Sequence, residues 1–387
     1  MNLPLLEAIF NVDVLKEIRA VLQALTGTAS FCTCGLSGEI RRPFHDTVGR
    51  GWTMPRVLHV GPCNARGGMA TVMRTLAEHP PDGWSAELLA TYSEGGVWSK
   101  WRAYRRARRE LHRWLAGTAH EPSVVHVHVA SDWSWRRKAR LIRFAQQHGA
   151  ATVIHLHSGA FASYLDERPR HQSRFQRLMN ASSTVTVVLN DHWKDKFHAH
   201  VDGLLAIPNP MPEMVSPHLG ERDADHLLLL GRPDPVKGHD FAVKLMSELR
   251  QARPQLRLSM TGVEEANAEG VEALGWVSEE TKTQLLNTCS ALLVPSAYEG
   301  QPMVMIEALA SGCPVVVSSN VPSPPETVSV APYGDQTAWV QAVLEVLDRK
   351  NDPERLASSV SEHCIERVQR SWGRVYDQAL VSRTSDA

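Results

Sequence analysis

Residues Ser296-Ala297-Tyr298-Glu299-Gly300-Gln301-Pro302-Met303-Val304-Met305-Ile306-Glu307 hold the densest chemistry in this chain. An apolar run ends just before them, and a helical segment closed by Gly312 follows. Pro302 suits the first turn of that helix, where its missing N–H costs no hydrogen bond. Gly312 suits the left-handed stop. A helix that starts at the carboxyl end of a strand aims its first backbone N–H groups, here between Gly300 and Met303, at an anion such as a diphosphate. Glu299 lies before the helix and Glu307 inside it. Each carboxylate can accept two hydroxyl hydrogen bonds, which suits vicinal sugar or ribose hydroxyls. Ile306, Ala308, Leu309 and Ala310 surround Glu307, so it is expected to be buried, and a buried acid needs a partner.

A second constellation is Gly231-Arg232-Pro233-Asp234-Pro235-Val236-Lys237-Gly238, after an apolar run ending in Leu230. It sets two cations in one tight loop, where they could neutralise a diphosphate and stabilise it as a leaving group, as a metal does elsewhere. Alone, such a loop reads equally well as a surface turn with solvated charges. Gly67 and Gly68 follow the first strand and permit close backbone approach at a helix start. The segment lacks the dinucleotide Gly-x-Gly-x-x-Gly pattern. His155 and His157 share one face at a strand's end, and His157 could donate to a sugar hydroxyl. His126 and His128 end the preceding strand and are weaker candidates. Apart from Cys32-Thr33-Cys34 the six cysteines are scattered, with no repeated ligand spacing. No metal site and no cofactor are expected.

These residues need strands and helices to position them. Short, near-continuously apolar runs at Arg56–Val60, Glu87–Thr91, Val124–Val129, Thr152–His157 and Thr184–Leu189 alternate with helical stretches. That is the pattern of parallel strands buried on both faces. Three prolines between Ile207 and Pro212 break it and read as a linker. A second series follows at His226–Leu230, Leu256–Met260, Ala291–Pro295 and Pro314–Val317. The fold class is α/β, with two doubly wound parallel-sheet, Rossmann-like domains facing a central cleft, and ligands at the carboxyl ends of the strands. The expected boundaries are an N-terminal extension over residues 1–53, a first domain over 54–215 and a second over 223–365.

With 43% hydrophobic and 21% charged residues, the 387-residue chain has the balance of an ordinary globular protein, and its net charge of -1 names no partner. No apolar run reaches the ~18 residues of a membrane span. The scattered cysteines point to a reducing, cytoplasmic location. Within residues 98–143, however, Trp98, Lys100, Trp101, Arg102, Arg105, Arg106, Arg108 and Arg109 lie on one helical stretch, and Trp133, Trp135, Arg136, Arg137 and Lys138 follow. Such a face suits peripheral contact with an anionic membrane. A nucleic acid is the rival partner and is not expected, and a solvated face with inward tryptophans is the plainest reading.

At Glu299 to Glu307, with Gly231-Arg232 and Lys237-Gly238 before it, the sequence resembles the family-4 retaining glycosyltransferases, also called group 1, from about Met54 to about Leu380. The resemblance implies the GT-B fold and transfer of a sugar, a hexose above all, from a nucleotide-sugar donor without a metal. It implies that Arg232 and Lys237 hold the donor diphosphate, and that Glu307 binds the ribose hydroxyls. Glu299 would contact the transferred sugar, assisted by the backbone from Gly300 through Gln301 and Pro302 to Met303. His157 would face that sugar from the other domain, Gly67 and Gly68 would line the cleft, and the final helix, residues 366–380, would cross back onto the first domain. The acceptor would be a polysaccharide, glycolipid or metabolite, lipid-linked acceptors included. The alternatives are a nucleotide-sugar epimerase on the same plan and a non-catalytic relative that binds membrane or nucleic acid.

Overall fold

The computed structural model describes residues 54–157, 159–211 and 216–384. The expected extension over residues 1–53, with Cys32 and Cys34, lies outside the described residues.

The first lobe is built from β1 (Arg56–Gly61), α1 (Gly68–Glu78), β2 (Ser85–Ala90), α2 (Val97–Gly117), β3 (Ser123–Val129), α3 (Asp132–Gln147) and β4 (Ala151–Leu156). It continues through α4 (Phe161–Asp166), α5 (Pro169–Met179), β5 (Thr184–Val188), α6 (Asp191–Phe197) and β6 (Leu205–Ala206). The strands pair in the order β2-β1-β3-β4-β5-β6, all parallel. Every residue of β3 and β4 is buried, as central parallel strands covered on both faces must be.

The second lobe repeats the plan. It comprises β7 (Asp223–Leu229), α7 (His239–Ala252), β8 (Arg257–Met260), β9 (Val271–Ala273), α8 (Glu279–Thr288) and β10 (Cys289–Val294). Then come α9 (Met303–Ala310), β11 (Val315–Ser318), β12 (Ser329–Ala331), α10 (Gln336–Asp348) and α11 (Pro353–Ser358). The strand order is β12-β11-β10-β7-β8-β9, again parallel throughout.

The last helix, α12 (Ile365–Thr384), runs onto the first sheet. Trp372 packs on His126 with ring centroids 4.5 Å apart, and Tyr376 on Trp84 at 5.0 Å. The side-chain amide of Gln369 donates to the Pro80 carbonyl. No helix among the described residues is long and apolar enough to cross a membrane.

Three differences from the sequence reading have local causes. The short edge strands β6, β9 and β12 carry two or three residues each, too few for an apolar run to announce them. β7 starts at Asp223 rather than His226, because the backbone of Asp223 already pairs with Cys289 on β10, while its carboxylate meets Arg257 on β8. Pro302 stands in the N-cap position of α9 with extended geometry, so the helix proper opens at Met303.

Candidate active site

Both sheets reverse their strand order once. In the first sheet β1 has β2 on one side and β3 on the other, and in the second β7 lies between β10 and β8. Ligand crevices open at such switch points, outside the carboxyl ends of the strands. The loops after β1, β3, β7 and β10 are those leading to Gly67 and Gly68, Ala130, Arg232 and Lys237, and Glu299. They line one cleft of about 700 Å³.

The two lobes approach each other backbone to backbone. Gly67 is held at φ 121°, a conformation open to glycine, and a Cβ there would stand 3.5 Å from Arg232 Cδ. A Cβ on Gly68 would meet Met303 at 3.3 Å. Closer still, a Cβ on Gly300 would lie 2.2 Å from the His157 carbonyl oxygen. One on Gly159 would lie 2.2 Å from the carbonyl oxygen of Glu299. The indole of Trp193 donates to the Gly300 carbonyl at 2.7 Å in a buried contact. Gly300→Ala is therefore expected to cost about 1–3 kcal/mol, the usual penalty for overpacking. Urea unfolding beside the wild type measures it, and an unchanged midpoint would show that the lobes do not clasp here.

The loop after β7 is fixed by Asp234, whose carboxylate accepts from the Val236 N–H at 3.1 Å, and by Gly238 at φ 76°. That turn aims Lys237 at Glu299, with Nζ 2.6 Å from Oε1. The Ser296 hydroxyl donates to the same oxygen at 2.7 Å. Arg232 stays exposed at the cleft, and its neighbour Asp234 is 3.9 Å away. The first turn of α9 starts beside this pair, and Met303 and Val304 line the cleft.

Glu307 is buried, as its apolar neighbours predict, and its partner is Lys282 at 3.0 Å. Burial pushes the Glu307 carboxyl above the ordinary range, and the Lys282 ammonium pulls it back. The pair lines a second cavity of about 390 Å³, which shares Gly67, Gly68, Arg232 and Lys237 with the first and continues it toward Trp276 and Val277.

His157 also reaches the cleft, at the end of a histidine chain. Its Nε2 lies 2.9 Å from His128 Nδ1, and His128 Nε2 lies 3.0 Å from His59 Nδ1. Burial drives the pKa values of His59 and His157 down to about 3, with Lys138 adding to the effect at His157. Burial likewise pushes those of His126, His128 and His155 well below the ordinary value. The cluster is thus neutral. His155 is wholly buried within it, and neither ring nitrogen has a hydrogen-bond partner among the described residues.

No metal was expected, yet the trio His128, His155 and His157 brings its nitrogens within 4.8 Å of one another, as does the trio His59, His126 and His128. Neutral imidazoles at that spacing suit a borderline-soft divalent ion. Asp223-Ala224-Asp225 has the spacing of an acidic metal motif, but it starts β7 at the end remote from the cleft.

The structure brings His157, Gly67, Gly68, Arg232, Lys237, Glu299 and the stretch from Gly300 to Met303 together in the larger cavity, and Glu307 with Arg232, Lys237, Gly67, Gly68 and Met303 in the smaller one; His126, His128 and His155 line neither. The sequence reading missed Lys282, Lys138, Asn209 and the Arg66–Trp276 pair, whose guanidinium sits 5.2 Å over the indole. Asn209 was visible as part of the proline-rich linker, and its N–H donates to the Gln301 side chain at 2.8 Å. Lys138 was visible as one charge of the basic stretch, and the others carry no local signal.

Comparison with known proteins fits this geometry. The family described as Glycosyl transferases group 1 matches residues 224–349. Those residues are similar to that family. They contain Arg232, Lys237, Glu299 and Glu307. A putative glycosyltransferase of Bacillus subtilis, EpsF, is 32% identical over 110 residues, which cover 25% of this chain and 29% of that one. The chain thus matches less than a third of that relative's length. The likeness in fold extends beyond the matched residues. Sucrose-phosphate synthase from Thermosynechococcus elongatus superposes with a TM-score of 0.61 at 18% identity, covering 85% of this chain and all of that one. The Anabaena protein HepE, solved with UDP and glucose, gives 0.55 at 14% identity over 83% of this chain and 98% of its own. The architecture is GT-B.

Proposed function

We propose that this chain is a retaining glycosyltransferase that moves a sugar, a hexose above all, from a nucleotide-sugar donor to an acceptor without a metal. The observation that carries this reading is the Lys237–Glu299 pair, 2.6 Å apart, with Arg232 at the mouth of a cleft where both switch points meet. Residues 54–215 with the final helix serve the acceptor side, and residues 223–365 hold the donor.

Arg232 and Lys237 neutralise the donor diphosphate, and the first N–H groups of α9 add to the same field. Glu307 takes the ribose hydroxyls in the smaller cavity. Glu299 contacts the transferred sugar, which His157 faces from the first lobe as a neutral hydrogen-bonding group. The bond between the sugar's anomeric carbon and the diphosphate oxygen breaks. The acceptor oxygen bonds to that carbon on the same face, and its proton passes to a diphosphate oxygen. Two fixed cations supply the leaving-group stabilisation that a divalent ion gives elsewhere.

Thermal unfolding with UDP-, GDP- and ADP-sugars, each with excess chelator, tests the donor and the metal together. A bound ligand at a hundred times its Kd stabilises the fold by about 2.7 kcal/mol, so one nucleotide series is expected to raise the melting temperature. No shift with any series defeats the donor reading, and a shift abolished by chelator and restored by metal defeats the metal-free one.

Peripheral membrane contact from the cytoplasmic side belongs to the same proposal. Trp135 packs inward, but Trp98 and Trp133 are 74% and 71% exposed, and Arg105 and Arg136 stack on Trp101 and Trp133. Exposed indoles among arginines fit the headgroup layer of anionic lipids. The protein should sediment with phosphatidylserine vesicles and not with phosphatidylcholine, and the Trp98→Ala, Trp133→Ala double variant should lose most of that binding. Equal binding to both lipids argues against the contact.

A further inference from the structure

The donor side of the cleft uses the cations of the second lobe. The first lobe brings cations of its own, Arg137 and Lys138, which form no ion pair among the described residues. Helix α3 starts at Asp132, held at φ 57°, a left-handed conformation uncommon outside glycine. From that turn Ser134, Arg137 and Lys138 face the cleft, at the three- and four-residue spacing that shares one side of a helix.

Lys138 is 2% exposed. Among the described residues its ammonium pairs with no carboxylate, and it donates to the Met69 sulfur at 3.8 Å. The Nε of Arg137 is buried without a partner. Glu94 is the one carboxylate among the first-lobe residues lining the cleft, and it is exposed. Burial, then the charge of Arg137, lower the Lys138 pKa to about 7. An isolated buried ammonium is costly unless something pairs with it, and in a cleft that missing partner points to a ligand.

On the reading that the second lobe takes the donor diphosphate, we propose that Lys138, Arg137 and Ser134 form a subsite for a phosphate group carried by the acceptor. An ammonium, a guanidinium fork and a hydroxyl match the several oxygens of a phosphate monoester or diphosphate better than the two of a carboxylate. The site lies at the first sheet's switch point, between the loops after β1 and β3, across the cleft from Arg232 and Lys237. The phosphate-bearing acceptor is either a soluble sugar phosphate or a lipid that carries a phosphate.

Isothermal titration of inorganic phosphate into UDP-saturated protein tests this, comparing the wild type with Lys138→Met. Phosphate is expected to bind the wild type and to bind the variant at least tenfold more weakly, while UDP binds both alike. Absence of phosphate binding to the wild type, or equal binding to both proteins, overturns the proposal. If UDP binds neither protein the donor reading fails separately, and the same phosphate titration on ligand-free protein still decides the subsite. Because methionine removes an unpaired buried charge, Lys138→Met is also expected to melt no lower than the wild type; a variant that unfolds would show the lysine to be a structural residue and overturn the subsite. Competition by glucose 6-phosphate but not glucose assigns a soluble acceptor, and Lys138-dependent binding to phosphatidylinositol vesicles over phosphatidylcholine assigns a lipid-borne one.

Discussion

Lys237→Ala is expected to lower turnover by about 10²–10³-fold, the usual cost of removing one preorganised charge from a developing leaving group. The lysine is well placed for that loss. Asp234 and Gly238 fix the turn that carries it, so its ammonium is aimed before any substrate arrives. Its present partner is Glu299, which a second donor, Ser296, also holds. Removing Lys237 therefore leaves Glu299 with the serine hydroxyl, and the variant should keep its fold, checked by circular dichroism and melting temperature. The fall should appear in kcat more than in KM, because the charge matters most once the bond to the diphosphate is breaking. Steady-state kinetics with the donor found by thermal unfolding measures it. Turnover within a factor of two of wild type would remove Lys237 from the leaving-group role and the cleft from the proposed chemistry.

Acid should unfold this protein over a narrow range below pH 6.5. His59, His126, His128 and His155 are 0–1% exposed, and burial holds each one's pKa far below the unfolded value of about 6.5. The folded-state pKa values are depressed, so the neutral cluster costs nothing above pH 6.5. Below it the unfolded chain takes up protons that the folded chain refuses, and stability falls as pH falls. Each such group contributes about 1.4 kcal/mol per pH unit, so four together remove roughly 5 kcal/mol for each unit below 6.5. Set against a typical total of about 5–15 kcal/mol, the midpoint should fall between about pH 3.5 and 5.5. Urea unfolding from pH 7.5 down to 5 is the measurement. Stability that stays level through that range would show that the imidazoles are protonated in the fold or are paired by something else, a bound metal ion included.

The histidine cluster shows where sequence reading stopped. Alternation placed His126 with His128 and His155 with His157 on one face of their strands, and His157 was singled out for the cleft. The parallel register then sets His59 beside His126 and His128 beside His155, and α12 closes the layer with Trp372 and Tyr376. Register between parallel strands depends on packing of the crossover helices, so no local pattern announces it. Glu307 is a milder case. Its apolar flanks in α9 foretold burial and the need for a partner. The partner, Lys282, lies on α8, which passes close only because β10 brings α8 and α9 to the same side of the second sheet.

The sequence by itself determined the two parallel sheets, the linker between them and the loops of Arg232, Lys237 and Glu299. Those features are written in short-range terms: continuous apolar runs, prolines that no central strand accepts, and glycines where the backbone must turn. Only the tertiary structure decided which side chains meet across the lobes, which histidines go without partners, and that Lys138 is a buried cation rather than one more charge on a basic helix. A long side chain's burial depends on what packs over it, and against the ammonium of Lys138 that is Met69 in the first turn of α1, about seventy residues earlier in the chain.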